Sequence, residues 1–158
     1  MTRQTRKTEE FPQIGGRRVA LIVARFYDDL AGQLEDGARR ALARCGMRDA
    51  EIVTCDVPGC FEIPLAAKLA FEKGFDACVA LGVVIRGETP HFDYVAGECA
   101  RGIMRVQLDY GKPIGFGVLT TNTREQAECR ADPARGDKGF EAALAAATLL
   151  GVWAAGGT

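Results

Sequence analysis

The 158-residue chain has no apolar run approaching the ~20 residues that a membrane-spanning helix needs. Its opening, MTRQTRKTEEFPQ, is charged and shows no secretory signal. Net charge is nearly absent: 20 Lys and Arg against 21 Asp and Glu leave −1. That balance argues against nucleic acid as a partner, because phosphate neutralisation needs a basic excess on some face. There is one histidine and no Cys-x-x-Cys pair, whereas zinc needs clustered Cys and His ligands, so no metal is predicted. The six cysteines (Cys45, Cys55, Cys60, Cys78, Cys99, Cys129) are irregularly spaced. In a chain long enough to bury a core without staples they read as reduced, small hydrophobes. No repeat, linker, P-loop or dinucleotide fingerprint is present. These absences predict a soluble, cytoplasmic protein that neither enters a membrane nor binds nucleic acid.

What is present is an alternating pattern. Residues 1–16 are polar, end in Gly15-Gly16, and read as an arm before a single domain over 17–158. Strands are predicted over 17–24, 51–57, 77–85 and 114–119, short apolar runs of the kind that suit a sheet buried on both faces. Helices are predicted over 30–45, 61–73, 93–110, 124–131 and 138–155. In the first, Leu30, Leu34, Ala38, Ala41, Leu42 and Cys45 recur at helical spacing, with Asp28 or Asp29 as cap and Gly46 as stop. Pro64 is tolerable in a first helical turn, and Gly74 falls just past that helix. The order βαβαβαβαα gives an α/β fold with a parallel sheet between helical layers. Right-handed crossovers gather strand ends and helix starts on one edge, where such folds bind ligands. That edge collects Arg25-Phe26-Tyr27, Pro58 to Glu62, Arg86 to Phe92 and Thr120 to Arg124.

His91 is the one side chain whose ordinary pKa, ~6.5, lets it trade protons near neutrality. Placed in the loop after the third strand, it reads either as a catalytic group or as a surface histidine beside a helix start. Gly87-Glu88-Thr89 leads into free N–H groups at that start, capped by Asp93 or Thr89. It reads as a phosphate cradle or as an ordinary turn. Phe26 can stack on a flat heterocycle or simply join the core. Glu62 opens a helix, where the dipole favours a carboxylate anyway. Arg130 and Lys138 flank the bend 131–137 and either hold an anion or stay solvated. The residues alone therefore indicate a parallel α/β domain suited to a phosphorylated small molecule. A phosphoacceptor domain of this fold needs an aspartate at the end of the third strand, where the chain reads Val83-Val84-Ile85-Arg86. An FMN-carrying electron-transfer protein needs a hydroxyl- and glycine-rich loop after the first strand, where Arg25-Phe26-Tyr27-Asp28-Asp29 stands.

Six segments, in order, resemble the 6,7-dimethyl-8-ribityllumazine synthase family. They are ARF at 24–26, VPGCFEIP at 57–64, ALGVVIRGETPHFDYV at 80–95, FGVLTTNT at 116–123, EQAECRA at 125–131 and DKGFEAA at 137–143. The resemblance implies a flavodoxin-like, three-layer fold with a four-stranded parallel sheet. It implies a transferase of riboflavin biosynthesis that condenses 5-amino-6-ribitylaminouracil with 3,4-dihydroxy-2-butanone 4-phosphate. A Schiff base forms, phosphate leaves and a second ring closes with release of water, without metal or other cofactor. The alternative is a pentameric scaffold that binds flavin or lumazine with little turnover.

The resemblance also implies roles. Phe26 would stack on the pyrimidine, Gly59, Cys60, Phe61 and Glu62 would meet the ribityl chain and ring edge, and Val83, Val84 and Ile85 would offer backbone groups. Glu88 and Thr89, with Arg130, would hold phosphate, and His91 would move protons. Phe116, Arg130 and Lys138 would come from a neighbouring subunit, because the family builds its site across a pentamer interface. Riboflavin synthase is an implied partner. Three positions depart from the family's pattern: Cys60 stands for alanine, Tyr27 for asparagine, and Pro90 precedes the histidine. Phe11 to Ile14 are predicted to lie on a neighbour's sheet edge. The bend 131–137 has the length found in sixty-subunit shells, but Pro133 stiffens it. A free pentamer is therefore predicted, with the decamer and the shell as alternatives.

Overall fold

Strand β1 (Val19–Ala24) is buried at all six positions, as an unbroken apolar run requires when helices cover both faces of a sheet. The computed structural model describes residues 11–155, with side chains as far as Val152. Beside β1 lie β2 (Ile52–Val57) on one side and β3 (Ala77–Ile85) on the other, with β4 (Ile114–Thr121) outside β3. All pairings are parallel, in the order β2-β1-β3-β4. The chain steps from β1 one way to β2, then back across to β3 and β4. Right-handed connections then put the helix before the reversal on one face of the sheet and the two helices after it on the other.

Alternation along β1 divides the core accordingly. Val19, Leu21 and Val23 pack with Leu34, Ala38 and Leu42 of α1 (Asp28–Arg44), Ala127 of α4 (Arg124–Ala131), and Ala143 and Ala147 of α5 (Lys138–Ala155). Ala20, Ile22 and Ala24 pack with Ile63 and Phe71 of α2 (Ile63–Glu72) and Cys99 and Ile103 of α3 (His91–Tyr110). On the first face α1 and α5 meet backbone to backbone, since a methyl at Gly139 would run into the carbonyl oxygen of Leu34.

Several boundaries differ from the sequence reading for local reasons. Neither Asp28 nor Asp29 caps α1. Tyr27 occupies that position without a side-chain cap bond, and both aspartates lie in the first turn, where the helix dipole favours them. Glu51 belongs to a short 3-10 turn ahead of β2, where its carboxylate accepts bonds from the Gly16 and Arg48 N–H groups. A second 3-10 turn, Cys60–Glu62, delays α2 to Ile63. Strand β4 runs two residues beyond 119, because β3 is long enough to pair Ile85 with Thr121. Phe11 to Ile14 pack on their own chain: Ile14 is buried and donates to the Cys45 carbonyl, and Phe11 meets Phe140 edge-on. Residues 1–10 of the arm lie outside the described residues.

Candidate active site

A cavity of about 610 Å³ opens at the carboxyl ends of β1, β2 and β3. It lies beside the point where the chain reverses direction across the sheet, the usual ligand crevice of such folds. Phe26 and Tyr27 line it after β1, Pro58 to Glu62 after β2, and Val83, Val84 and Ile85 at the end of β3. Gly87, Thr89, His91, Phe92, Tyr94 and Val95 complete the wall. Its rim is aromatic, and Phe26 and Phe61 are 75% and 60% exposed.

The turn that presents Phe26 is anchored by Arg25. Its guanidinium donates to Asp56 at 2.7 Å and to Glu35 at 2.8 Å, and its backbone N–H donates to Val57. Glu35 also accepts the Thr54 hydroxyl at 2.6 Å, and Thr54 in turn accepts from Arg39. Burial raises the Glu35 pKa, but the Thr54 and Arg25 hydrogen bonds outweigh it and hold the carboxyl below its ordinary range.

His91 is the first residue of α3, not a loop residue, and the helix starts two residues before the predicted Asp93. Pro90, with φ −69°, occupies the cap position, and its carbonyl accepts from Asp93. The proline ring fixes φ close to a helical value, so the chain can enter the helix at once. Asp93 is therefore a first-turn residue and not the cap. The Thr89 hydroxyl accepts weakly from the His91 N–H, at 3.4 Å. This start turns the imidazole, with Tyr94 and Val95 three and four residues on, toward the cavity.

Cys60 lines the cavity but is buried in the layer beneath it. Its thiol lies over Gly82, where a methyl would come within 2.6 Å of the sulfur. That missing side chain is what makes room for cysteine. The hydrogen bond with Cys99, then burial, pushes the Cys60 thiol far above its ordinary range. It stays protonated and is no nucleophile. Glu62 folds back so that its carboxylate accepts the Gly59 N–H at 3.1 Å, which fixes the loop after β2.

Four predicted site residues do not line this cavity within one chain. Glu88 is exposed on the loop beside it. Phe116 is exposed on β4, Arg130 donates to the Gln126 carbonyl on α4, and Lys138 pairs with Glu141 on α5. The segment Thr120 to Arg124 is not in the wall either. It contributes indirectly, since Arg86 donates to the Asn122 side chain and to the Thr121 carbonyl and so ties down the loop before His91. Sequence reasoning missed Tyr94 and Val95, because a helix starting at Asp93 hides their spacing from His91. It also left Pro58 and Phe92 without a role, although both stand in segments already singled out. Among the described residues, no three His, Cys, Asp or Glu side chains gather as a metal site, and no helix is long and apolar enough to cross a membrane.

A doubly wound parallel α/β domain with an aromatic-rimmed cavity at its switch point is the class that fold and site define. The family model described as 6,7-dimethyl-8-ribityllumazine synthase matches residues 16–153. The 6,7-dimethyl-8-ribityllumazine synthases of two Thermus thermophilus strains are each 52% identical over 136 residues, covering 85% of this chain and 87% of theirs. The chain belongs to the 6,7-dimethyl-8-ribityllumazine synthase family.

Proposed function

We propose that the protein carries out the family's condensation, joining 5-amino-6-(D-ribitylamino)uracil to 3,4-dihydroxy-2-butanone 4-phosphate. The observation that carries this reading is the convergence of Phe26, the end of β3 and His91 on one cavity. Phe26 stacks on the pyrimidine, and backbone groups of Val83, Val84 and Ile85 meet its polar edge. Gly59, Cys60, Phe61 and Glu62 follow the ribityl chain. The phosphate lies at the N-terminus of α3, where Glu88 and Thr89 supply N–H groups and the dipole favours an anion. Arg130 of a neighbouring copy closes on that phosphate, with Phe116 and Lys138 of the same copy beside the pyrimidine.

The chemistry then needs little more than positioning and proton transfer. The pyrimidine amine adds to the ketone carbonyl, and loss of water gives the Schiff base. His91 takes a proton from the carbon skeleton and assists departure of phosphate. The ribityl-bearing nitrogen then closes the second ring with loss of a further water. Holding both substrates together supplies much of the acceleration. On this reading the protein works in the cytoplasm as a pentamer, and riboflavin synthase, which consumes the product, is a partner. A scaffold without turnover is not favoured, since the histidine faces the cavity. Mixing the purified protein with both substrates tests the proposal. Lumazine fluorescence should appear at a rate proportional to protein, and a rate equal to the uncatalysed background overturns it.

A further inference from the structure

We propose that Tyr27 is a positioning residue that presets the Phe26 ring and thereby sets affinity for the pyrimidine, an inference that rests on the reading above. The two rings meet edge to face, with centroids 5.0 Å apart and planes at 76°. Among the described residues this is the one ring contact Phe26 makes, and Phe26 is otherwise 75% exposed at the cavity rim. Its backbone has little freedom left. On one side Arg25 is held by Glu35, Asp56 and the Val57 carbonyl. On the other side the Tyr27 carbonyl accepts the first helical bond of α1, from Ala31 at 2.9 Å. What remains free is rotation of the Phe26 side chain, and the edge-to-face contact with Tyr27 restricts it while leaving a face of the Phe26 ring for a ligand. Tyr27 itself is steady, being half-buried against the core beneath α1.

The helix gives up something for this arrangement. Tyr27 is the N-cap of α1 and makes no side-chain cap bond, at a position where Asn, Asp, Ser or Thr satisfies a free N–H. An asparagine here can make that bond and loses the ring contact with Phe26. A structural role and a positioning role thus predict opposite signs for one substitution, which makes the assignment testable.

The experiment compares Tyr27→Asn, Tyr27→Leu and Tyr27→Phe with wild type. Each is titrated with 5-amino-6-(D-ribitylamino)uracil, assayed for KM and kcat, and melted without ligand. Tyr27→Asn and Tyr27→Leu are expected to raise the pyrimidine Kd and KM by about threefold to tenfold, the range of one edge-to-face ring contact. The rise in KM for the pyrimidine should exceed any change in kcat or in KM for the phosphorylated ketone. Tyr27→Asn should melt no lower than wild type, and Tyr27→Phe, which keeps the ring contact, should bind within about twofold of it. Pyrimidine affinity unchanged in Tyr27→Asn and Tyr27→Leu overturns the inference, and so does Tyr27→Phe weakened as much as they are. Wild-type protein that binds no pyrimidine overturns the functional reading and this inference with it, an outcome seen before any variant is made.

Discussion

Arg40 on α1 grips the carboxylate of Asp137, the residue before α5, with two N–H···O bonds of 2.8 and 3.1 Å. Asp137 is the one non-glycine with positive φ among the described residues, at 47°. Aspartate tolerates that left-handed conformation better than bulky or branched residues do. The fork pins the end of the bend between α4 and α5 to a helix on the same face of the sheet. Asp137, and after it Asp36, hold the Arg40 guanidinium above its ordinary range.

Replacing Arg40 with lysine keeps the charge and loses the fork. The pair is partly exposed, so the expected loss is about 1 kcal/mol, or about 2–4 °C in melting temperature for a chain of this size. Thermal denaturation checks it. An unchanged melting temperature shows that the bend holds without the pair.

His91→Ala is expected to slow the condensation by roughly tenfold to ten-thousandfold, with the lower end set by what positioning alone supplies. Turnover measured at saturating concentrations of both substrates decides it. A variant as fast as wild type removes His91 from the proton transfers.

Arg130→Lys is expected to raise KM for the phosphorylated ketone more than it weakens pyrimidine binding, because an ammonium cannot reproduce two parallel bonds to a phosphate. Separate titrations with the two substrates compare the losses. A larger loss for the pyrimidine assigns Arg130 to another part of the site.

Glu35→Gln tests the network behind Phe26. The folded-state pKa of Glu35 lies below its ordinary value, so its contribution is fully present above the unfolded pKa and fades as pH falls through the folded one. With discount for its partial exposure, the variant is expected to be less stable by about 1 kcal/mol at pH 7. The gap between variant and wild type should narrow below about pH 4. Denaturation midpoints across pH 3–7 measure it. A gap independent of pH assigns the effect to packing and not to charge.

Light scattering at neutral pH should give a mass near five times the 17.0 kDa chain. A mass near sixty times the chain replaces the free pentamer with a shell. A monomer overturns the site shared between neighbours.

The sheet was legible because its strands are self-contained apolar runs, and Ala77–Ile85 is read residue for residue. The polar helix Arg124–Ala131 was legible for another reason, being bracketed by Thr123 and Asp132-Pro133. Helix starts were less legible, because they depend on details that composition does not carry. His91 begins α3 because Pro90 turns the chain at once, and Tyr27 stands in a cap position that its side chain does not use. Phe26, the loop after β2 and the end of β3 share one cavity, as strand-end logic anticipates. Phe116 came from resemblance alone, whereas Arg130 and Lys138 could be read at the bend only as an anion-holding or a solvated pair, and within this chain they bond to the Gln126 carbonyl and to Glu141. Phe11 to Ile14 looked unowned, since their partners Arg44, Cys45 and Phe140 lie far along the chain.

The contact between Gly139 and Leu34 has a mechanical consequence. Most helix pairs are separated by a layer of side chains that can shift rotamers and absorb a push. Where α5 crosses α1 there is no such cushion, because backbone rests on backbone. The two helices form a joint without play, and Lys138 sits one residue from it. A push at the start of α5 is met at the Leu34 turn of α1 by backbone, with no side-chain layer between them at that point.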